Sequence, residues 1–184
     1  WVHLRNLSLA ASMQQVVDAR ARNVRVTASV TALHLALSAD TDRGMQAVPP
    51  VRRRDEVDQL WSYVLDESVD CITAGVAGRN GTMVPDAQAT LALFWDEAVA
   101  KRGMSRSQAV RQLATNPAQM LGLEPRKGSI RVGGDADLVL FDPAGSSTVR
   151  NGDMPSERRW SPLEGRQMTG VVVRTLSRGR AVYG

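Results

Sequence analysis

The sequence predicts an α/β protein, on three observations. Short runs rich in apolar and β-branched residues stand at 1–4, 24–32 and 69–73. Amphipathic stretches of helical length, roughly ten to fifteen residues, lie between strand candidates. Beyond residue 86 the texture changes, first to further helices and then to a β-rich module from Gly128 onward. Strands separated by such helices imply βαβ units and a parallel sheet, whether open or closed into a barrel.

Each element has a local reason. Trp1–Leu4 is short and apolar, with polar Arg5-Asn6 at its end. Ser8 precedes a helical stretch, Ser12–Ala21, whose Met13, Val16, Val17 and Ala21 recur near the helical period. Val24–Ala32 is a strand by its β-branched content. Pro49-Pro50 excludes helix from the extended segment Met45–Val51. Asp55–Leu65 returns to helix, with Val57, Leu60, Trp61 and Val64 on one face. Val69–Thr73 is the next strand, followed by a glycine-bearing loop, Gly75–Gly81. Ala87–Lys101 and Ser105–Ala114 read as helices divided at Gly103, with Ser105 as N-cap. Asn116-Pro117 opens a further short helix that stops at Gly122. Ile130–Val132, Ala136–Phe141 and Val171–Leu176 are strand candidates, and Arg178-Gly179-Arg180 turns into a last strand, Ala181–Tyr183.

Composition narrows the function classes. A chain of 184 residues, 43% hydrophobic and 23% charged, has room for one domain and a second small module. No apolar stretch approaches the roughly 20 residues that span a bilayer, so no membrane role is expected. The single cysteine, Cys71, fits a reducing cytoplasm, and burial in an apolar strand makes it a structural thiol. The net charge of +4 is spread over scattered basic residues without interleaved aromatics, which argues against nucleic acid. Trp1-Val2-His3-Leu4 opens in the middle of a strand pattern without a Met, so a fragment, or a missing upstream part, is expected.

Several stretches together resemble the amidohydrolase superfamily, in its branch of hydantoinases, dihydropyrimidinases, allantoinases and dihydroorotases. The clearest is the run from Lys127-Gly128-Ser129-Ile130 through Gly133-Gly134-Asp135-Ala136-Asp137 to Phe141-Asp142-Pro143. Thr115-Asn116-Pro117-Ala118 and Leu121-Gly122-Leu123 precede it as they do in that family. Val48-Pro49-Pro50-Val51-Arg52, Leu60-Trp61, Ser161-Pro162-Leu163-Glu164-Gly165-Arg166 and Arg178-Gly179-Arg180-Ala181-Val182-Tyr183 also fit. The resemblance implies the second half of a (β/α)8 TIM-type barrel with trailing helices over 1–126. The C-terminal strands of a small β-sandwich would follow over 127–184.

In that family two divalent metals activate a water that attacks a cyclic amide carbon. Three of the ligand motifs fall in this chain. The strand-five motif, usually His, an apolar residue and Ser, reads Asn6-Leu7-Ser8. The strand-six motif, usually ending Pro-His, reads Ser29-Val30-Thr31-Ala32-Leu33. The strand-eight motif, usually Thr/Ser-Asp-His-Ala-Pro, reads Ala74-Gly75-Val76-Ala77-Gly78. The ligand positions therefore hold Asn6, Leu33 and Gly75; leucine and glycine offer no side-chain donor and an asparagine amide is a weak one for zinc. Loss of the strand-eight aspartate also removes the proton shuttle. His34 is a remote metal candidate, but as a strand neighbour of Leu33 it is expected to point outward, and His3 likewise. No metal is expected from this segment; zinc would bind only if upstream ligands are intact.

The remaining candidates carry bland readings beside sharp ones. Asn80-Gly81 matches a family loop that touches the substrate ring, yet Asn-Gly is also a common turn pair. Pro49-Pro50 with Arg52 has a family match near substrate, and equally suits a stiff connector; Arg52–Arg54 reads as a solvated helix entry. Glycines 128, 133 and 134 lack the spacing of a phosphate loop. Trp61, Trp95 and Trp160 suit packing better than a ligand cage. The expected function is an amidohydrolase-like protein that has lost metal-dependent hydrolysis and acts as a structural or binding homologue. The alternative is an active hydrolase of cyclic amide C–N bonds using upstream or altered ligands. Half a barrel leaves open sheet edges, so the expected partner is the missing N-terminal half or a second copy in a homo-oligomer, with a further protein partner possible.

Overall fold

A computed structural model describes residues 1–79, 82–154 and 159–184, with the backbone alone for Arg79 and residues 82–85. Three parallel strands, β1 (Val2–Leu4), β2 (Val26–Thr31) and β4 (Cys71–Thr73), form a sheet in the order β1-β2-β4. Their registers pair His3 with Thr27 and Val30 with Ile72. Helix α1 (Ala10–Ala21) joins β1 to β2, and α3 (Arg54–Leu65) leads back into β4. The α/β expectation is therefore met, with the strands parallel.

The core forms where the sequence pattern places it. Val57, Leu60, Trp61 and Val64 bury one face of α3 against Met13 and Val16 of α1 and the β2 side chains Ala28 and Val30. Each such side chain contributes about 1.5–3 kcal/mol by leaving water. The indole N–H of Trp61 donates to the Leu35 carbonyl (3.0 Å), and Arg102 covers its ring at 4.1 Å.

Four expectations need correction. The strand expected over Val24–Ala32 ends at Thr31, and Ala32–Ala36 forms a short helix, α2, because the Thr31 side chain caps it by accepting from His34 N–H. The loop expected over Gly75–Gly81 contains β5 (Val76–Arg79), paired antiparallel with β6 (Thr82–Pro85) and with β3 (Gln46–Ala47). The helix expected at Asn116 does not start afresh. Helix α5 (Arg106–Val110), capped by Ser105, continues through a wider turn, Arg111–Thr115, into α6 (Asn116–Met120). Ile130–Val132 is not a strand: Ile130 and Val132 are fully solvated, and Gly133, at positive φ, and Gly134 turn the chain back onto the Arg131 carbonyl.

Helix α4 (Thr90–Phe94), extended by a π-helical turn over Trp95–Ala100, packs against the last sheet. That sheet is antiparallel, β7 (Leu138–Thr148), β8 (Gln167–Ser177) and β9 (Arg180–Tyr183), with Arg178-Gly179 turning between the last two strands. Asp96 accepts from Thr169 N–H (3.0 Å), and Glu97 pairs with Arg102 and Arg166, so the helix grips β8 electrostatically. Burial raises the Glu97 carboxyl, but its bonds to Lys101 and Arg102 outweigh that and hold it low. No helix among the described residues is long and apolar enough to cross a membrane.

Candidate functional site

In parallel α/β sheets, ligands bind beyond the carboxyl ends of the strands, where loops converge. Here that end gathers Asn6 after β1, Thr31 and Leu33 after β2, and Thr73 and Gly75 after β4. Asn6 sits at φ 58°, a left-handed conformation that asparagine tolerates. Its N–H donates to Ser29 Oγ (3.2 Å), and its Oδ1 accepts from the Thr73 hydroxyl (3.1 Å). The amide oxygen that could have faced a cation is thus spent on Thr73 of β4, across the end of β2.

Leu33 and Gly75 meet directly. A Cβ built on Gly75 would lie 2.9 Å from Leu33 Cδ1 and 3.1 Å from Thr31 Oγ1. The space for a side chain at 75 is already filled by leucine, which is buried. The structure therefore brings Leu33 and Gly75 into contact and ties Asn6 to the same strand end through Thr73.

His34 is not turned outward, as its expected place in a strand implied; helix α2 carries it into the interior, where it is 3% exposed. Its Nδ1 lies 2.6 Å from Thr31 Oγ1 and its Nε2 lies 2.6 Å from the Pro49 carbonyl. A carbonyl only accepts, so Nε2 carries the proton and Nδ1 accepts from the threonine hydroxyl. Neither nitrogen has a lone pair left for a metal. Burial holds this imidazole below its ordinary range, against the Pro49 bond and with help from nearby Arg52. His3 is half-buried, bonded through Nδ1 to Thr27 Oγ1 (2.9 Å) and stacked on Trp1.

Residues that drew little or no notice in the sequence complete the site. Gly75 N–H donates to Asp86 Oδ1 (2.6 Å), and Asp86 N–H donates back to the Gly75 carbonyl (3.2 Å). Asp86 is buried, its Oδ2 has no partner among the described residues, and burial pushes its carboxyl up to about 6 against the lowering bonds of the Gly75 and Asp86 amides. Arg52 is half-buried rather than solvated, because its Nε donates to the buried Ser8 hydroxyl (3.0 Å). Only the position of Asp86 after a proline and before a helix gave a local signal. Asn80 and Gly81 lie outside the described residues. Cys71 is buried, which pushes its thiol up to about 11.

Among the described residues no group of three or more His, Cys, Asp or Glu side chains could hold a metal ion. The three strand ends offer a cation little: Asn6 Oδ1 accepts from the Thr73 hydroxyl, Leu33 is a hydrocarbon and Gly75 has no side chain. The arrangement offers instead an apolar floor at Leu33 with hydrogen-bond donors beside it.

A profile described as the amidohydrolase family matches residues 19–183. An allantoinase from Rubrobacter xylanophilus is 32% identical over 99% of this chain and 43% of its own length. A dihydroorotase from Pelotomaculum thermopropionicum is 30% identical over 98% of this chain and 45% of its own. Among solved structures, an L-hydantoinase (dihydropyrimidinase) from Arthrobacter aurescens superposes with a TM-score of 0.90 at 22% identity, over 98% of this chain and 44% of that one. A D-hydantoinase gives 0.88 at 26% identity, over the same shares. The chain spans less than half the length of these relatives.

Proposed function

The chain belongs to the amidohydrolase family, in its cyclic-amidohydrolase branch, and from that premise we propose that it no longer performs metal-dependent hydrolysis. It serves instead as a structural or binding homologue. The observation that carries this reading is the contact between Leu33 and Gly75, which fills with hydrocarbon the place where two ligand side chains would converge. Asn6, tied to Thr73, and His34, bonded at both nitrogens, offer no substitute. On the same reading residues 1–126 are the second half of a (β/α)8 barrel with its trailing helices. Residues 127–184 are the C-terminal strands of a β-sandwich. A polypeptide supplying the N-terminal half, or a second copy, completes the barrel.

The names of the relatives favour one competing reading, an active hydrolase of cyclic amide bonds that draws its ligands from elsewhere. Metal analysis of the intact protein, paired with hydrolysis assays on hydantoin, dihydrouracil, allantoin and dihydroorotate, separates the two. The proposal expects turnover at background with or without chelator. Stoichiometric zinc together with chelator-sensitive turnover would sink it.

A further inference from the structure

We propose that two neighbouring turns, at 122–126 and 131–134, form a docking site for an acidic, aliphatic segment of another protein. The proposal rests on the reading of this chain as a structural or binding homologue, and it places the partner of that role outside the strand-end site. One surface pocket lies between the turns, lined by Leu123, Glu124, Pro125, Arg126, Arg131 and Val132. Ile130 is 90% and Val132 102% exposed, and Leu121, just before the first turn, is 68% exposed. Apolar exposure gathered about one pocket, rather than scattered singly, marks a contact surface. The pocket is also held in shape. Asp135 N–H donates to the Arg126 carbonyl (2.8 Å), Gly134 N–H to the Arg131 carbonyl (3.1 Å) and the Thr115 hydroxyl to the Gly128 carbonyl (2.9 Å). Gly128, at φ 87°, lies so close to α6 that a Cβ there would stand 2.4 Å from Ala118 Cβ.

Charge decides what covers it. Arg131 is exposed and its guanidinium has no partner among the described residues. Its stem rests against Gly134, where a Cβ would come within 3.3 Å of Arg131 Cγ. Arg126 meets Asp135 only at 3.4 Å, and that carboxylate is shared with Lys127 at 3.0 Å. The one acid lining the pocket, Glu124, accepts from Gln119 Nε2 (3.3 Å). Two arginines beside one carboxylate call for an acid, and the guanidinium fork suits a carboxylate side chain. A free phosphate would leave the aliphatic wall of Leu123, Pro125 and Val132 in water. A bilayer contact draws on aromatic anchors, and none lines this pocket. A second copy meeting the patch about a two-fold axis would set arginine against arginine. Aliphatic contact rimmed by arginine and answered by acids is the composition of a protein contact.

The test is fluorescence anisotropy of the intact protein with two short capped, dye-labelled peptides, one alternating glutamate with leucine and the other lysine with leucine. The acidic peptide is expected to bind and the basic one not. R131Q and V132D should each weaken the acidic peptide at least about tenfold, and R131E should reverse the preference between the two. Both positions are exposed, so melting temperatures should match the wild type. No acidic-peptide binding at concentrations on the order of 1 mM, equal affinity for the two peptides, or unchanged affinity in R131Q and V132D each overturns the proposal. So does tighter binding of inorganic phosphate than of the peptide, which would mark a small-anion site. V132D-sensitive binding to phosphatidylcholine–phosphatidylserine vesicles, or V132D-sensitive self-association, would hand the patch to a membrane or a second copy and overturn it too. Failure here leaves the loss of hydrolysis standing, whereas zinc-dependent turnover would overturn that reading by a separate readout.

Discussion

A methyl group on Gly75 would stand 2.9 Å from Leu33 Cδ1 and 3.2 Å from Leu33 Cβ, closer than carbon atoms pack. Leucine at 33 and a side chain at 75 therefore exclude each other, and the two residues form one packing unit. Gly75→Ala should destabilise by about 1–3 kcal/mol through overpacking. Leu33→Ala should cost about 2–5 kcal/mol by opening a cavity in the buried floor. The double substitution should cost less than the sum by about 1 kcal/mol or more, since each change makes room for or fills the other. Urea denaturation of the four proteins measures the coupling, and strict additivity would mean the contact carries no energy. Asn6, Leu33 and Gly75, which the structure gathers at one end of the parallel sheet, could be singled out in the sequence because each sits in a short run with fixed spacing. Arg52 on Ser8, 44 residues away, was not legible, because a bond across that separation leaves no local pattern.

At the scale of elements, Asp86 closes the β5–β6 hairpin by exchanging hydrogen bonds with Gly75, and its carbonyl accepts from Ala89 N–H and Thr90 Oγ1 where α4 begins. Its folded carboxyl titrates near 6, above the ordinary 3.8, so the folded state binds the proton more tightly than the unfolded chain. The contribution of Asp86 to stability is then full below pH 4, is lost as pH rises from 4 to 6, and amounts to roughly 3 kcal/mol. Asp86→Asn keeps an acceptor for Gly75 and cannot ionise. It should flatten this part of the pH–stability curve and raise stability at pH 7, read from thermal melts between pH 4 and 7.5. An unchanged slope in the variant would place the pH dependence elsewhere. The same scale shows why some elements were readable and others were not. Helix α3 followed from four apolar residues at helical spacing, all of which are buried. Helix α2 was hidden, because Ala32–Ala36 continues an apolar run and only the Thr31 cap, a contact of three residues' reach, ends the strand. Ile130–Val132 looked like a strand by composition, but no neighbouring strand pairs with it among the described residues, and β propensity without a partner does not make a sheet.

For the whole molecule, the decisive feature is what the parallel sheet leaves open. Its outer strands β1 and β4 each pair on one side only among the described residues. Val2 and Leu4 of β1 and Trp1 just before it stand exposed, and Val139, Val173 and Tyr183 expose apolar surface on the β7-β8-β9 sheet. Unpaired backbone along an apolar edge is a template for another strand, and proteins that keep such edges free usually guard them with charge or proline. β1 has neither: its three residues are Val2, His3 and Leu4. These surfaces support the proposal that the 184 residues are completed by another polypeptide or by a second copy. Expressed alone, the chain should therefore elute from size-exclusion columns as a dimer or larger species. Co-expression with a polypeptide supplying the N-terminal half of the fold should convert it to a discrete complex with a higher melting temperature. Charge placed on the edge, as in Val2→Lys, should weaken self-association without reaching the core, since Val2 is exposed. A monodisperse, cooperatively melting monomer would show that the open edges are tolerated and that no completing chain is required.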